Sequence, residues 1–278
     1  MSTQDTPKTG GGAGIRGGPY VSPDDAVLGC RNVTKTFGAI TACDDISIGI
    51  DEGEWVSIVG PNGAGKTTLL NVLNGFYDPD PGGEIFFEAE DVTADRAFKR
   101  ARKGLGRTFQ GLELFEEEDV LENVMTVQAV KERPNLLSAL AFYGTGRKVE
   151  AQNMRRVEEI IDYLELWEYR HSTVSSLPLG IQRRVDLART LALDPDVLLL
   201  DEAMSGLTFD EKYDMVRFLA DLNEEEGLTL VMIEHDLEVV TDVSERMIVL
   251  HKGGVIARGP PDDVTSDPEV RNIYTGVD

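Results

Sequence analysis

Hydrophobic residues follow two different patterns along the chain: short continuous runs and a helical repeat. Largely apolar runs at 55–59, 197–200 and 228–233 are short and bounded by turn-forming residues, as is typical of strands buried on both faces. A second pattern repeats every 3.6 residues and predicts an amphipathic helix over 149–166, with a buried face of Met154, Val157, Ile160, Ile161 and Leu164. Together these patterns predict an α/β fold with a mostly parallel core sheet.

The same pattern divides the chain into regions. Residues 1–24 are rich in Gly, Ser, Thr and Pro and predict a disordered tail, so a single folded domain is expected over 25–278. Residues from about 112 to 175 are predicted to form a mostly helical insert. Within it, the apolar stretch 136–143 is too short to cross a bilayer, and it is either a buried helix or an exposed patch for a partner.

The first apolar run leads into residues 60–68, with the sequence GPNGAGKTT, and a helical pattern follows. Glycines let backbone N–H groups turn inward, and the start of a helix adds partial positive charge, so this loop predicts a polyphosphate site. Lys66 is expected to reach the β- and γ-phosphates and Thr67 to hold Mg²⁺. A glycine-rich turn without a ligand would not need these two side chains. The predicted nucleotide contacts are Gly60, Asn62, Gly63, Gly65, Lys66, Thr67 and Thr68.

Acidic residues follow the second apolar run. Ligands in open α/β sheets bind at the carboxyl ends of strands, where the phosphate loop must also lie. Asp201 is therefore expected to hold Mg²⁺ through water, and Glu202 to orient or activate an attacking water. The competing interpretation, two surface acids without a role, is disfavoured directly after four aliphatic residues. His235 follows the third run; a lone histidine is usually structural, but at this edge it could touch the γ-phosphate.

Charge narrows the classes of partner. The chain carries 27 basic and 50 acidic side chains, a net charge of −23, which disfavours DNA or RNA as a partner. Lysine is scarce, with nine residues against eighteen arginines. An acidic surface poor in lysine suggests the hypothesis of a halophilic source, because concentrated salt screens the self-repulsion.

The basic residues include one local cluster. Its members recur at steps of three or four residues, which would place them on one face of a helix: Arg96, Lys99, Arg100, Lys103 and Arg107. Such a stripe is usually a solvated face, and the alternative is a docking surface.

Cysteine content and hydropathy point to a cytoplasmic protein. Cys30 and Cys43 match no metal-binding spacing, so a reduced cytoplasmic protein is the default expectation. No run reaches the about 18 apolar residues of a membrane span. The N-terminal stretch also lacks the apolar core of a signal peptide.

Several motifs occur in an order that resembles the ATP-binding subunit of an ABC transporter, over about 27–278. They are the phosphate loop, Thr-Phe-Gln at 108–110, Leu-Pro-Leu-Gly-Ile-Gln-Arg-Arg at 177–184, the aliphatic run ending in Asp201-Glu202, and Ile-Glu-His-Asp at 233–236. The resemblance implies a P-loop NTPase with a mostly parallel core sheet, an antiparallel β subdomain and an inserted helical subdomain. The branched-chain amino acid importer group is further resembled by four features: residues 106–110, the insert, Ile-Glu-His-Asp-Leu at 233–237 and the closing segment 267–276.

The resemblance implies an ATPase that uses ATP and Mg²⁺ and powers uptake of branched-chain amino acids or a related small polar solute. It implies that Phe37 stacks on adenine, although composition alone favours plain packing for this residue. It implies that Gln110 senses the metal and the membrane partner, that Glu202 is the catalytic carboxylate, and that His235 is the γ-phosphate switch. The implied partners are membrane permeases at the cytoplasmic face, a second ABC ATPase subunit and an extracytoplasmic solute-binding protein, with no nucleic acid.

In that family, two cassettes close face to face, and each ATP lies between the phosphate loop of one and the Leu-x-x-Gly segment of the other. The segment of this chain includes Pro178, Leu179, Gly180 and Gln182. Pro178 stands where the family usually has Ser, and Leu179, Ile181, Ala203 and Thr208 also depart from its pattern. These departures concern the half-site offered to the partner's ATP, so a heterodimer with two unlike sites is favoured over a homodimer.

Two other classes of function remain. A nonhydrolytic regulatory subunit would explain the altered segment but would not need intact Lys66, Thr67, Asp201, Glu202 and His235. A soluble ABC ATPase not tied to transport would need a coiled-coil insert or a second cassette, and the sequence contains neither.

Overall fold

The computed structural model describes residues 21–108, 111–131, 146–235 and 237–275. Residues 1–20 of the predicted tail, Gln110 and the apolar stretch 136–143 lie outside the described residues. Residues 21–24, assigned to the tail from composition, pack against the first two strands. The Pro23 backbone lies so close to Gly29 that a Cβ atom on Gly29 would stand 2.3 Å from the Pro23 oxygen. The packed part of the chain therefore begins before the predicted boundary, because glycine leaves room for this segment.

The described residues form a six-stranded core sheet with strand order β10-β9-β3-β8-β7-β6. Its strands are β3 (Trp55–Val59), β6 (Leu105–Arg107), β7 (Val197–Asp201), β8 (Thr229–Ile233), β9 (Arg246–His251) and β10 (Gly254–Gly259). All neighbours run parallel except the β9–β10 hairpin. Every residue of β3, β7 and β8 is buried. The predicted parallel core is confirmed, and burial on both faces explains why these strands are so apolar.

A smaller antiparallel sheet covers one face of the core. Its order in the described part of the chain is β2-β1-β4-β5, with β1 (Leu28–Phe37), β2 (Ile40–Ile50), β4 (Glu84–Phe87) and β5 (Glu90–Asp91). Aliphatic side chains of both sheets and of the helix after β3 form one buried cluster, which also contains Cys30 and Cys43 as free thiols. This packing holds the β1–β2 hairpin beside the loop that follows β3.

Helices flank the core sheet. They are α1 (Lys66–Leu73), α2 (Ala97–Arg102), α3 (Val120–Lys131), α4 (Gly146–Tyr163), α5 (Leu179–Leu191), α6 (Phe209–Glu226), α7 (Leu237–Val243), α8 (Pro261–Ser266) and α9 (Pro268–Thr275). α4 confirms the predicted amphipathic helix but ends three residues earlier than predicted. Val157, Ile160 and Ile161 are buried in a second core cluster, which also contains Leu164 just after the helix. None of the helices among the described residues is long and apolar enough to cross a membrane.

The basic cluster at 96–107 does not form one helical face, contrary to the sequence-based prediction. α2 ends at Arg102, and Gly104, with φ of 109°, turns the chain into β6, so Arg107 lies on a strand. Arg100 is only 1% exposed. Its guanidinium donates to the carbonyl oxygens of Val72 at 2.8 Å and Leu73 at 2.6 Å, which lie in the last turn of α1. Arg100 is therefore a structural residue that satisfies a helix terminus.

Candidate functional site

The loop between β3 and α1 is shaped by close backbone contacts. Gly60, Gly63 and Gly65 have φ values of 150°, 79° and 106°. A Cβ atom on Gly60 would lie 2.2 Å from the Leu250 oxygen, and one on Gly65 would lie 2.1 Å from the Ala42 oxygen. Only glycine fits at these two positions, so β9 and the β1–β2 hairpin fix the loop in a form whose N–H groups can surround an anion.

Lys66 begins α1 and folds over this loop. Its ammonium donates to the carbonyl oxygens of Gly60 at 2.7 Å and Pro61 at 3.1 Å, and the residue is 5% exposed. Burial lowers the pKa of Lys66, while the nearby carboxylates of Glu202 and Asp201 raise it. The ammonium is thus held over the loop and close to the acidic edge of the sheet, where it can exchange carbonyl oxygens for phosphate oxygens.

Asp201 ends β7 and is 1% exposed. Its Oδ2 accepts a hydrogen bond of 2.8 Å from Nη2 of Arg107, whose Nη1 donates to Oδ1 of Asn71 at 2.7 Å. Burial raises the pKa of Asp201, and the Arg107 guanidinium lowers it. Oδ1 of Asp201 has no hydrogen-bond partner among the described residues. An acceptor oxygen left open in a buried, ion-paired carboxylate beside Lys66 fits the oxygen ligation that Mg²⁺ prefers.

Glu202 and His235 meet at the same edge of the sheet. Asp201 pairs with Ile233 across β7 and β8, and Glu202 takes a φ of 52° while its N–H donates to the Ile233 oxygen at 3.0 Å. Nε2 of His235 lies 2.7 Å from Oε1 of Glu202, although the two residues are 33 positions apart. The adjacent parallel strands therefore bring together a carboxylate and an imidazole that the sequence only placed at strand ends.

Phe37 lies at the end of β1, on the hairpin beside the phosphate loop. The residue is 43% exposed. Its ring packs edge-on against Tyr77 with centroids 5.2 Å apart, and the ring centroid lies 5.5 Å from Nζ of Lys35. An exposed aromatic face at this place can accept a planar ring. Gln110 lies outside the described residues. Thr108, two positions earlier, donates its backbone N–H to the carbonyl oxygen of Leu199 in β7 at 2.9 Å.

The Leu-Pro-Leu-Gly segment starts α5, away from the phosphate loop in the sequence. Pro178 precedes the helix, and the side-chain amide of Gln182 donates to the Leu177 oxygen at 2.8 Å. A Cβ atom on Gly180 would lie 2.2 Å from Oε1 of Glu211 in α6, and Leu179 borders Gly206 in the loop after Glu202. The segment therefore packs against the connection between β7 and α6.

Three residues of the site were not singled out from the sequence. In the sequence, Arg107 belongs to the basic cluster, Asn71 lies in a helical pattern without a chemical signal, and Glu234 is one position of Ile-Glu-His-Asp. Arg107 and Asn71 position Asp201, and the buried Glu234 accepts a hydrogen bond from the Met204 N–H at 3.0 Å. A carboxylate directly after a buried strand was the available signal for Glu234.

Comparisons with known proteins agree with this geometry. Residues 43–205 match the family described as ABC transporter. The chain is 34% identical over 250 residues, covering 90% of this chain and 98% of the other, to the high-affinity branched-chain amino acid transport ATP-binding protein BraF of Pseudomonas aeruginosa.

Solved structures give the same result. The ADP conformation of MJ1267, an ATP-binding cassette of an ABC transporter, superposes with a TM-score of 0.78 at 31% identity, covering 90% of this chain and 98% of that one. The dimeric structure of MJ0796, a bacterial ABC transporter cassette, gives 0.71 at 29% identity, with 83% and 97% covered. The phosphate loop, Asp201 and Glu202 lie at one edge of the sheet, as an ATP site requires. Together with the family match, this shows that the chain belongs to the ABC transporter family and is an ATP-binding cassette, which is an ATPase.

Proposed function

We propose that this chain is the ATP-hydrolysing subunit of an importer for branched-chain amino acids or a related small polar solute. The observation that carries the hydrolytic part is the 2.7 Å contact between Glu202 and His235, beside Asp201 and Lys66. The similarity to BraF over 90% of this chain supports the solute class. A nonhydrolytic regulatory role finds no support in a site that keeps all of these groups.

In the proposed mechanism, the N–H groups of loop 60–65 and the Lys66 ammonium bind the phosphates of ATP, assisted by Asn62, Thr67 and Thr68. Phe37 stacks on the adenine ring. Thr67, Asp201 and Gln110 would hold Mg²⁺, which when bound neutralises phosphate charge. Glu202 accepts a proton from the attacking water and orients it, while His235 fixes the Glu202 side chain and contacts the γ-phosphate. Arg107 keeps the Asp201 side chain in place.

We propose that the chain works as one of two different cassettes on the cytoplasmic face of the membrane, with permease subunits and an extracytoplasmic solute-binding protein. The segment of Pro178, Leu179, Gly180 and Gln182 would face the partner's ATP. Pro178 offers neither a hydroxyl nor an N–H group, so the partner's ATP meets fewer donors than the ATP bound by Lys66. This chain would then supply the main catalytic site of a heterodimer.

Transport by the assembled complex tests the solute class. In vesicles that contain the permeases and both cassettes, the solute-binding protein loaded with leucine, isoleucine or valine should stimulate ATP hydrolysis and drive uptake of the labelled amino acid. Sulfate, an inorganic anion of unrelated chemistry, is the control solute. Equal stimulation by sulfate, or hydrolysis without uptake of any branched-chain amino acid, would contradict the proposed solute class while leaving the ATPase assignment intact.

We also propose that the acidic surface adapts the chain to concentrated salt. At about 1 M ionic strength the Debye length is about 3 Å, so repulsion within a chain of net charge −23 should be largely screened. The free energy of unfolding is expected to rise steadily when KCl is raised from about 0.1 M to 2 M. Chemical denaturation at each salt concentration measures it, and full stability at the lowest concentration would rule the adaptation out.

A further inference from the structure

Glu234 is a buried carboxylate that the proposed mechanism does not use. It follows β8 directly, is 6% exposed, and lies between Ile233 and His235 in the sequence. Its Oε1 accepts the hydrogen bond of 3.0 Å from the backbone N–H of Met204. Burial raises the pKa of Glu234, and the bond from Met204 lowers it. Burying a carboxylate costs free energy, so a buried Glu234 is expected to have a role. Its contact with Met204 indicates that the role is to hold the Met204 backbone in place.

The contact fixes the first part of the loop that follows the catalytic carboxylate, residues 203–207. In the centre of this loop, Ser205 donates its N–H to the backbone carbonyl oxygen of Glu202 at 3.0 Å. Further along, Leu207 donates to the Met204 oxygen at 3.3 Å. Met204 is 1% exposed, so its N–H has little access to water. The loop is thus a compact turn that is attached to the backbone of Glu202 through Ser205 and to the side chain of Glu234 through Met204.

The far side of the loop touches the start of α5. A Cβ atom on Gly206 would lie 3.0 Å from Cδ2 of Leu179. Directly after the loop, Thr208 forms a capping box with Glu211 at the start of α6, and a Cβ atom on Gly180 would lie 2.2 Å from Oε1 of that Glu211. The loop 203–207 therefore lies between Glu234 on one side and segment 178–182 on the other.

We infer that Glu234 is a positioning residue that couples the Glu202–His235 pair to segment 178–182 through the Met204 N–H and loop 203–207. This inference rests on the proposed function, in which segment 178–182 serves the partner's ATP. A shift of the end of β8 when His235 contacts the γ-phosphate moves Glu234 as well, because the two residues are adjacent. The bond to Met204 passes that shift to the loop, and the contact of Gly206 with Leu179 passes it to the segment.

Hydrogen exchange on the full chain, with mass-spectrometric resolution of short peptides, tests the coupling. Glu234→Ala removes the acceptor, and backbone N–H exchange in 203–207 and in 179–182 is expected to rise about tenfold in both segments. Glu234→Gln keeps an acceptor oxygen and should restore protection in both. The matched control is Tyr163→Phe, which removes a 2.6 Å hydrogen bond to the Phe218 oxygen elsewhere in the molecule and should change neither segment.

Enzyme kinetics distinguish a positioning role of Glu234 from a role in folding stability alone. In the assembled transporter, Glu234→Ala should lower kcat for ATP about tenfold with KM unchanged, and Glu234→Gln should recover most of the loss. Faster exchange in 203–207 with unchanged exchange in 179–182 would overturn the coupling. The coupling would also be overturned if Glu234→Gln behaved like Glu234→Ala, because the acceptor oxygen would then not be responsible for the effect.

A measurement on the native side chain keeps the inference testable if Glu234→Ala does not fold. In a Glu202→Gln background, ATP should change exchange in 203–207 and in 179–182 together, and a change confined to one segment would refute the coupling. Failure of the wild-type chain to bind ATP at all would instead refute the proposed function, so the two failures are distinguishable.

Discussion

Glu202→Gln will leave ATP bound but lower its hydrolysis by about a thousandfold at the site that this chain's phosphate loop forms. The amide keeps the shape of the side chain and can still contact His235, which lies 2.7 Å from the carboxylate. It cannot accept the proton of the attacking water. The variant should therefore accumulate a closed, ATP-loaded pair of cassettes, which size-exclusion chromatography detects and which the wild type dissipates by hydrolysis.

The measurement is the ATPase rate of the assembled transporter, with the catalytic carboxylate removed from one cassette at a time. A matched control is Glu224→Gln on the exposed side of α6, which makes the same chemical change far from the strand ends. Unchanged hydrolysis in the Glu202 variant would show that the carboxylate is not the base. A larger loss from the partner's substitution would refute the assignment of the main site to this chain.

The position of Glu202 and His235 at the carboxyl edge of the sheet could be predicted from the sequence, whereas their contact depends on β7 and β8 being neighbours, which only the structure shows. Each residue is the second one after a largely apolar run, and the two runs form neighbouring parallel strands whose carboxyl ends share one edge. The phosphate loop was equally predictable, since Gly60 and Gly65 are required by backbone contacts that no other residue allows. The motif that indicates the loop is local, but the backbone contacts with Leu250 and Ala42 that require its glycines are not.

The partners of Arg100 and Arg107 could not be assigned from the sequence. Periodicity placed Arg100 and Arg107 on one helical face, but their partners are distant: Arg100 binds carbonyls of α1, 27 and 28 positions away, and Arg107 binds Asp201, 94 positions away. The helix also ends early at Arg102, and Gly104, with φ of 109°, follows it where a Cβ atom would lie 2.0 Å from Oδ2 of Asp196. A spacing of three or four residues records none of these non-local contacts.

Thr208 illustrates a departure from the family pattern that has a local cause. Where the family usually has Asp, Thr208 caps α6: its hydroxyl donates to Glu211 at 2.8 Å, and its backbone N–H donates to the same carboxylate at 2.8 Å. Glu211 in turn borders Gly180. Thr208 is therefore linked through Glu211 to segment 178–182. A comparison of sequence patterns shows that Thr208 differs from the family but not this contact.

Lys66→Ala is expected to act on binding, where Glu202→Gln acts on chemistry. The ammonium is the buried positive charge over the phosphate loop, and its loss removes charge-assisted hydrogen bonds to the phosphates. The dissociation constant for ATP should rise by about 10- to 100-fold. Lys66→Arg should not rescue binding, because a planar, longer guanidinium does not fit a space built for a compact ammonium. Titration of the purified chain with a fluorescent ATP analogue measures the constants.

Stability distinguishes lost recognition from lost folding in this variant. Burial lowers the pKa of Lys66, which means that keeping the charged ammonium in the folded protein costs free energy. Removing it should therefore change the free energy of unfolding by no more than about 1 kcal/mol, since two hydrogen bonds to loop carbonyls are lost while a buried charge is relieved. Lys99→Ala, on the exposed side of α2 where Lys99 pairs with Asp95, is the matched control and should keep wild-type ATP affinity. Tight ATP binding by Lys66→Ala would contradict the phosphate-loop assignment, because no other buried ammonium lies over that loop in the part of the chain that the structure describes.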